Sequence, residues 1–216
     1  MNPIRLFAGI LAAALLLTAC GEPQRPTINL YRAIHAGDLD QIKRHLYWGT
    51  DVNQPDPAGD YPLHVAARRG RVVIARELIQ AGADVDVTNQ VGRTPLYVAL
   101  AAGKTQLAQV LFGAEGTETP QELLDALVRE GVTDRDSLAL LVSRGADINA
   151  LGADGRAPLH IAAEQGEHLL AKRLIDEGAD VNLPDAEGRT ALAIAQAQGH
   201  RDVATALQRF GAVAPD

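Results

Sequence analysis

Apolar residues recur along this chain at helical rather than strand spacing, in short bursts separated by glycines. The clearest unit occupies residues 155–182 and reads GRAPLHIAAEQGEHLLAKRLIDEGADVN. Leu159, Ile161, Ala162 and Ala163 predict a short helix with an apolar face. Pro158 suits its first position, because proline's φ is already helical and the N–H it lacks would have no partner there. Gly166 permits a reversal. Leu170, Ala171, Leu174 and Ile175 then predict a second helix, which Gly178 closes as a residue able to take the left-handed conformation. Neither helix is long enough to persist alone, so the pair needs neighbours against which to bury its face.

The neighbours are written in the same pattern. Gly59, Gly92, Gly155 and Gly188 open turns at intervals of 33, 63 and 33 residues. Bends at Gly37, Gly70, Gly103, Gly166 and Gly199 and stops at Gly49, Gly82, Gly145, Gly178 and Gly211 keep the same register. The interval of 63 is three short of two units, so one divergent copy lies inside it. A 33-residue period of a turn plus two helices marks a repeat array.

Tyr61-Pro62-Leu63-His64, Thr94-Pro95-Leu96-Tyr97, Ala157-Pro158-Leu159-His160 and Thr190-Ala191-Leu192-Ala193 share one motif, and Gly82-Ala83-Asp84-Val85-Asp86, Gly145-Ala146-Asp147-Ile148-Asn149 and Gly178-Ala179-Asp180-Val181-Asn182 share another. In these segments the chain resembles the ankyrin-repeat family. The resemblance implies an all-α solenoid of stacked helix-turn-helix units joined by short β-hairpins or turns. It covers residues 28–212, with repeats near 28–58, 59–91, 92–118, 119–154, 155–187 and 188–212.

The N-terminus is a separate matter. Arg5 precedes an apolar run at residues 6–17, shorter than the roughly 20 residues that span a bilayer, which reads as a secretory signal. Leu17-Thr18-Ala19-Cys20 follows and resembles the bacterial lipobox. That resemblance implies a signal peptide over residues 1–19, a lipidated Cys20 and a linker to residue 27. Gly21 rather than aspartate after the cysteine implies the outer membrane rather than the inner. An extended linker, at about 3.3 Å per residue, reaches roughly 20–25 Å and keeps the domain near the periplasmic face.

Both ends of the array read as polar caps. In register, Arg32, Gln41 and His45 replace Val65, Ile74 and Leu78 of the second repeat, so His45 is expected to be exposed. Gln196 and Gln208 do the same at the far end. The fourth repeat is irregular. The segment Gly113-Ala114-Glu115-Gly116-Thr117 shortens its junction, Thr119-Pro120-Gln121-Glu122 forms a capping box, and Leu123, Leu124, Leu127 and Val128 make its first helix. Asp136, Leu138, Leu141 and Val142 make its second, and the hairpin between repeats three and four is expected to be lost or remodelled. Tyr97 replaces the motif histidine, and its hydroxyl needs a partner.

Chemistry is mostly excluded. The six histidines form no HExxH and have no cysteine co-ligands, so neither a metal nor a cofactor is indicated, and His64 and His160 serve turn hydrogen bonds in the family. The junction aspartates Asp51, Asp84, Asp147 and Asp180 lack EF-hand spacing, and no nucleophile elbow, P-loop or dinucleotide fingerprint occurs, so the chain reads as no enzyme. With 20 basic against 27 acidic residues and 4% aromatics, it is a poor nucleic-acid binder.

Binding of another protein, by a monomer, remains. The family's variable positions carry over to Asp60, Arg68, Arg69, Gln90, Arg93, Asp154, Arg156, Glu164, Gln165, Glu187, Arg189 and Gln198. The expected role is a membrane-anchored interaction module holding a periplasmic or envelope protein. The alternatives are an immunity-type inhibitor of a periplasm-acting toxin or hydrolase, and a stress-protection factor.

Overall fold

The computed structural model describes residues 22–213, so the expected signal peptide over residues 1–19 and the expected lipidation site Cys20 lie outside the described residues. Twelve short helices pair into six units among them: α1 (Leu30–Ala36) with α2 (Leu39–Tyr47), α3 (Pro62–Arg69) with α4 (Val72–Gln80), α5 (Pro95–Ala101) with α6 (Thr105–Phe112), α7 (Pro120–Arg129) with α8 (Arg135–Ser143), α9 (Pro158–Gln165) with α10 (His168–Asp176), and α11 (Ala191–Ala197) with α12 (Arg201–Arg209). The odd-numbered helices pack in one row and the even-numbered in another. Prolines 62, 95, 120 and 158 each sit at a first helical position, and Gly37, Gly70 and Gly166 cap α1, α3 and α9 in the left-handed conformation. One isolated bridge, Pro184 to Thr190, is the only β pairing among the described residues, and none of their helices is long and apolar enough to cross a membrane.

The core is a continuous seam of leucine and alanine. Leu78, Leu111, Leu141, Leu174 and Leu207 repeat down the outer row, and Ala66, Ala99, Ala162 and Ala195 let the inner helices approach closely. A fully buried leucine contributes about 1.5–3 kcal/mol, so each unit gains its stability from the units it touches.

Two side-chain systems recur from unit to unit, one within the turns and one between units. Asp56, Asn89 and Asp185 each accept the backbone N–H four residues on, at 3.0, 3.0 and 2.7 Å, which closes the hairpin turn. Asn53, Asn149 and Asn182 each reach the next unit's stop glycine, donating to the carbonyls of Gly82, Gly178 and Gly211 and accepting from Asp84, Asp180 and Val213.

The fourth unit departs from this scheme. Pro95 to Pro120 is 25 residues and Pro120 to Pro158 is 38, against 33 between Pro62 and Pro95. The missing residues are the hairpin before α7, and the extra ones lengthen α7 and its bend, where Gly131 takes φ 68°. The packing of α5 on α7 is the sparsest in the inner row. Polar links bridge the step instead: the Ser137 hydroxyl donates to Leu100 O at 2.8 Å, Asp86 accepts from Thr117 N at 2.9 Å, Thr94 bonds Glu118, and the Tyr97 hydroxyl bonds Glu130. Thr119 and Glu122 form the reciprocal capping box that their spacing predicts.

Glu115 stands 33 residues after Gly82 and takes its left-handed backbone, the one non-glycine with positive φ (58°) among the described residues. A side chain there costs about 1–2 kcal/mol, partly offset by the entropy that glycine loses on folding. Glu115→Gly is expected to stabilise the protein by about 0.5–1 kcal/mol, read as a raised urea midpoint. Glu115→Ala, which keeps the strain, should not raise it.

The first unit corrects an expectation. Gln41 and His45 are buried, because residues 22–29 fold back along α2. Thr27 N donates to Gln41 Oε1 at 2.8 Å, His45 Nε2 lies 2.7 Å from Ile28 O, and Trp48 Nε1 donates to Pro23 O at 3.2 Å. The polar pair is the floor on which the linker lies rather than an exposed cap, and the linker is docked rather than extended. At the other end Gln196 and Gln208 are exposed.

Candidate functional site

The inner helices and the hairpin tips make one face. Proline opens α3, α5, α7 and α9 and Thr190 caps α11; a bend glycine follows α1, α3 and α9 directly and α5, α7 and α11 one residue later, and the charged residues cluster just before the bends and at the tips.

The motif histidines tie tips to helices. Tyr61 N–H donates to His64 Nδ1 at 3.3 Å, which leaves Nε2–H to donate to Arg93 O of the next hairpin at 2.7 Å. His160 repeats this between Ala157 N (3.1 Å) and Leu183 O (2.9 Å). In the first unit Tyr31 fills the position, its hydroxyl 2.9 Å from Asp60 O. Tyr97 has no following hairpin carbonyl to meet, and its longer side chain reaches Glu130 at the end of α7 instead. Burial raises the Tyr97 pKa, against the Arg93 guanidinium that stacks 4.4 Å from its ring.

Burial holds the His64 pKa below its ordinary 6.5, although the Arg93 carbonyl and the Asp60 charge oppose it. Burial pushes the Asp60 carboxyl up, yet hydrogen bonds from Asn89 and Arg68 outweigh it and leave the pKa below 3.8. Both groups therefore bind protons more readily in the unfolded chain. Stability present above pH 6.5 is expected to decline as the pH falls below it, first through His64 and, below 3.8, through Asp60. Urea midpoints at about pH 7.5 and 5.5 check this, His64→Gln should flatten the decline, and equal wild-type midpoints would count against it.

The twelve family-derived positions have different fates. Asp60 is buried in its turn and pairs with Arg68 at 2.7 Å. Arg93 pairs with Glu130. Asp154, Arg156 and Glu164 come together: Asp154 lies 2.8 Å from Arg129 and 2.9 Å from Arg156, and Arg156 also pairs with Glu164. The Arg129 guanidinium holds Asp154 down to about 2, with Arg156 assisting. Gln165 Nε2 donates to Arg129 O at 2.8 Å, and Arg189 bridges Asp185 (2.8 Å) and Glu187 (3.3 Å). Arg69, Gln90 and Gln198 stand exposed, with the Gln90 side chain lying over Gly59.

Arg129 and Glu130 are absent from the sequence-derived set. Counted back from Gly131, they are the equivalents of Arg68-Arg69 and Glu164-Gln165 beside their own bend glycines, and Gly131 is the signal that would have found them. With them the third to fifth units carry three cations (Arg93, Arg129, Arg156) and three anions (Glu130, Asp154, Glu164), all paired. The row of tips is interrupted where the fourth hairpin is missing. On either side of the gap stand the exposed apolar residues Val91 (73%) and Leu151 (48%). The result is a rail of neutralised, mutually fixed charges beside a gap flanked by apolar side chains.

A family model described as ankyrin repeats (three copies) matches residues 30–121 and 124–213. Among curated proteins, the potassium channel SKOR of Arabidopsis thaliana is 47% identical over 151 residues, 68% of this chain and 18% of its own length. The 60 kDa lysophospholipase of Mus musculus is 46% identical over 140 residues, 62% of this chain and 24% of its own. The chain thus spans about a fifth to a quarter of these relatives. Among solved structures, the ankyrin repeat protein EF0377 superposes with TM-score 0.60 at 25% identity, covering 83% of this chain and 96% of that one. A chain in the complex of the predatory endopeptidase Bd0816 of Bdellovibrio bacteriovorus with the immunity protein Bd3460 gives TM-score 0.61 at 24% identity, covering 87% and 99%, a likeness of fold.

Proposed function

This chain belongs to the ankyrin-repeat family, and from that premise we propose that it is an envelope-anchored, immunity-type inhibitor whose third to fifth units occlude a hydrolase or toxin acting in the periplasm. The family fold is a non-catalytic protein-interaction scaffold, and among the described residues no group of three or more His, Cys, Asp and Glu is placed to hold a metal.

The observation that carries the reading is the rail beside the missing hairpin. Its six charges are already paired within the free protein, so binding need not order them first, and the ordering cost of association is reduced. Val91 and Leu151 supply the apolar contacts that such a polar surface lacks. A chain of like fold occurs in a complex of an endopeptidase with an immunity protein, which is the precedent for the immunity-type reading. Anchoring rests on the lipobox resemblance: acylated Cys20 holds the domain at the periplasmic side of the outer membrane, through chains that contribute about 0.8 kcal/mol per buried methylene.

Crosslinking and pull-down with the intact, membrane-associated protein test the reading. The expected partner is a hydrolase whose activity falls on binding, and Val91→Asp with Leu151→Asp should weaken capture by at least about tenfold, near 1.4 kcal/mol, while leaving helicity intact. Recovery of a housekeeping envelope complex whose activity is unchanged would assign a scaffold role instead. Capture indifferent to the double substitution would move the binding surface elsewhere.

A further inference from the structure

Trp48, the single tryptophan of the chain, caps α2 beside Tyr47, and both rings are solvent-facing, 37% and 50% exposed. They meet edge to face, with centroids 5.6 Å apart, and the Arg25 guanidinium lies 4.8 Å from the Trp48 ring centre. The rail of paired charges in the third to fifth units makes no use of them. The docked linker brings Pro23 to this spot through its hydrogen bond from Trp48 Nε1.

Cys20 precedes Pro23 by three residues, a span of at most about 10–11 Å. A bilayer's polar layer is roughly 5–8 Å deep on each side. An acyl chain on Cys20 therefore tethers Trp48 within reach of the headgroup layer. Tryptophan and tyrosine favour that depth, where an apolar ring and a polar edge are both satisfied, and the indole N–H already has its partner. Lys43 and Arg44 stand four residues before Tyr47 and Trp48 on α2, on the same side of the helix as the rings. Glu22, Asp40 and Asp51 are also exposed on the linker and first unit, so this end of the molecule suits a zwitterionic interface more than a strongly anionic one.

We propose that Tyr47, Trp48 and Arg25 form a phospholipid-docking patch that seats the first unit on the membrane beside its anchor. This rests on the acylation of Cys20 proposed above. With the first unit on the lipid and stacked helices about 8–10 Å apart, the rail of the third to fifth units stands roughly 20–40 Å from the bilayer, clear for a soluble partner.

Trp48 is its own reporter. The acylated full-length product is reconstituted into phosphatidylcholine vesicles, with acylation checked by mass spectrometry. The mature chain carrying Cys20→Ser, mixed with the same vesicles and checked for helicity, is the comparison. The expected result is a blue-shifted Trp48 emission, acrylamide quenching reduced at least twofold, and quenching by lipids brominated near the top of the acyl chain. An acylated, vesicle-bound protein whose Trp48 is quenched by acrylamide like the Cys20→Ser chain overturns the docking patch and leaves the anchor standing. Shielding without bromolipid quenching points to a protein contact and overturns it too. Absence of the acyl group overturns the anchor and the patch together.

Discussion

Leu127→Ala is expected to lower stability by about 2–5 kcal/mol and to split unfolding into two steps. Leu127 is fully buried in α7, in the unit that joins the first three repeats to the last two. Truncating it leaves a cavity where the inner row is already thinnest, since α5 and α7 pack least and the hairpin that would reinforce them is missing. In a linear array the coupling between neighbours decides cooperativity, and about three units are needed to hold a fold. The last two units, cut off from the rest, should melt with the fourth, and the first three should follow at higher urea. Trp48 fluorescence reports the first unit and circular dichroism the whole, so the two curves should separate in the variant and coincide in the wild type. Coincident curves in Leu127→Ala, or a loss under about 1 kcal/mol, would mean that the polar links at this step suffice without the packing.

Gly155→Val is expected to cost about 2–4 kcal/mol, and Gly188→Val only about half of that. Both glycines open hairpin turns in the left-handed region, at φ 72° and 79°, which a β-branched residue adopts with strain. They differ in what lies beyond. A Cβ on Gly155 would fall 2.4 Å from the Ala186 Cβ, an atom fixed to the backbone of the next tip, whose N–H donates to Gly155 O at 2.9 Å. A Cβ on Gly188 meets nothing within 4 Å. The difference between the two losses therefore reads the closeness of adjacent tips, separately from the turn conformation they share. Equal losses measured by urea unfolding would show that the tips part freely.

The candidate surface was legible in the sequence, though unevenly. As candidate positions, Asp154, Arg156 and Glu164 were legible by register, because a repeat places equivalent residues on one face whatever their identity. Arg129 and Glu130 were not, since repeat four keeps neither the 33-residue spacing nor the hairpin from which register is counted. Asp60 stands at a variable position, and the structure adds that Asn89 and Arg68 hold its carboxylate within the turn. His45 and Gln41 looked like an exposed cap because polarity alone does not say whether water or a neighbouring backbone satisfies it.

The sequence by itself determined the helices, their ends and their stacking, because those depend on local terms repeated in register: proline at the first turn, glycine where φ is positive, and leucine and alanine at helical spacing. It also determined that the fourth unit would be the irregular one. Only the tertiary structure decided how that unit is joined, which charges cancel, and that the linker lies on α2, because each depends on the distance between residues 14 to 37 apart in the chain. Pairing across such separations follows from side-chain reach and burial in the assembled stack, and no periodicity records it.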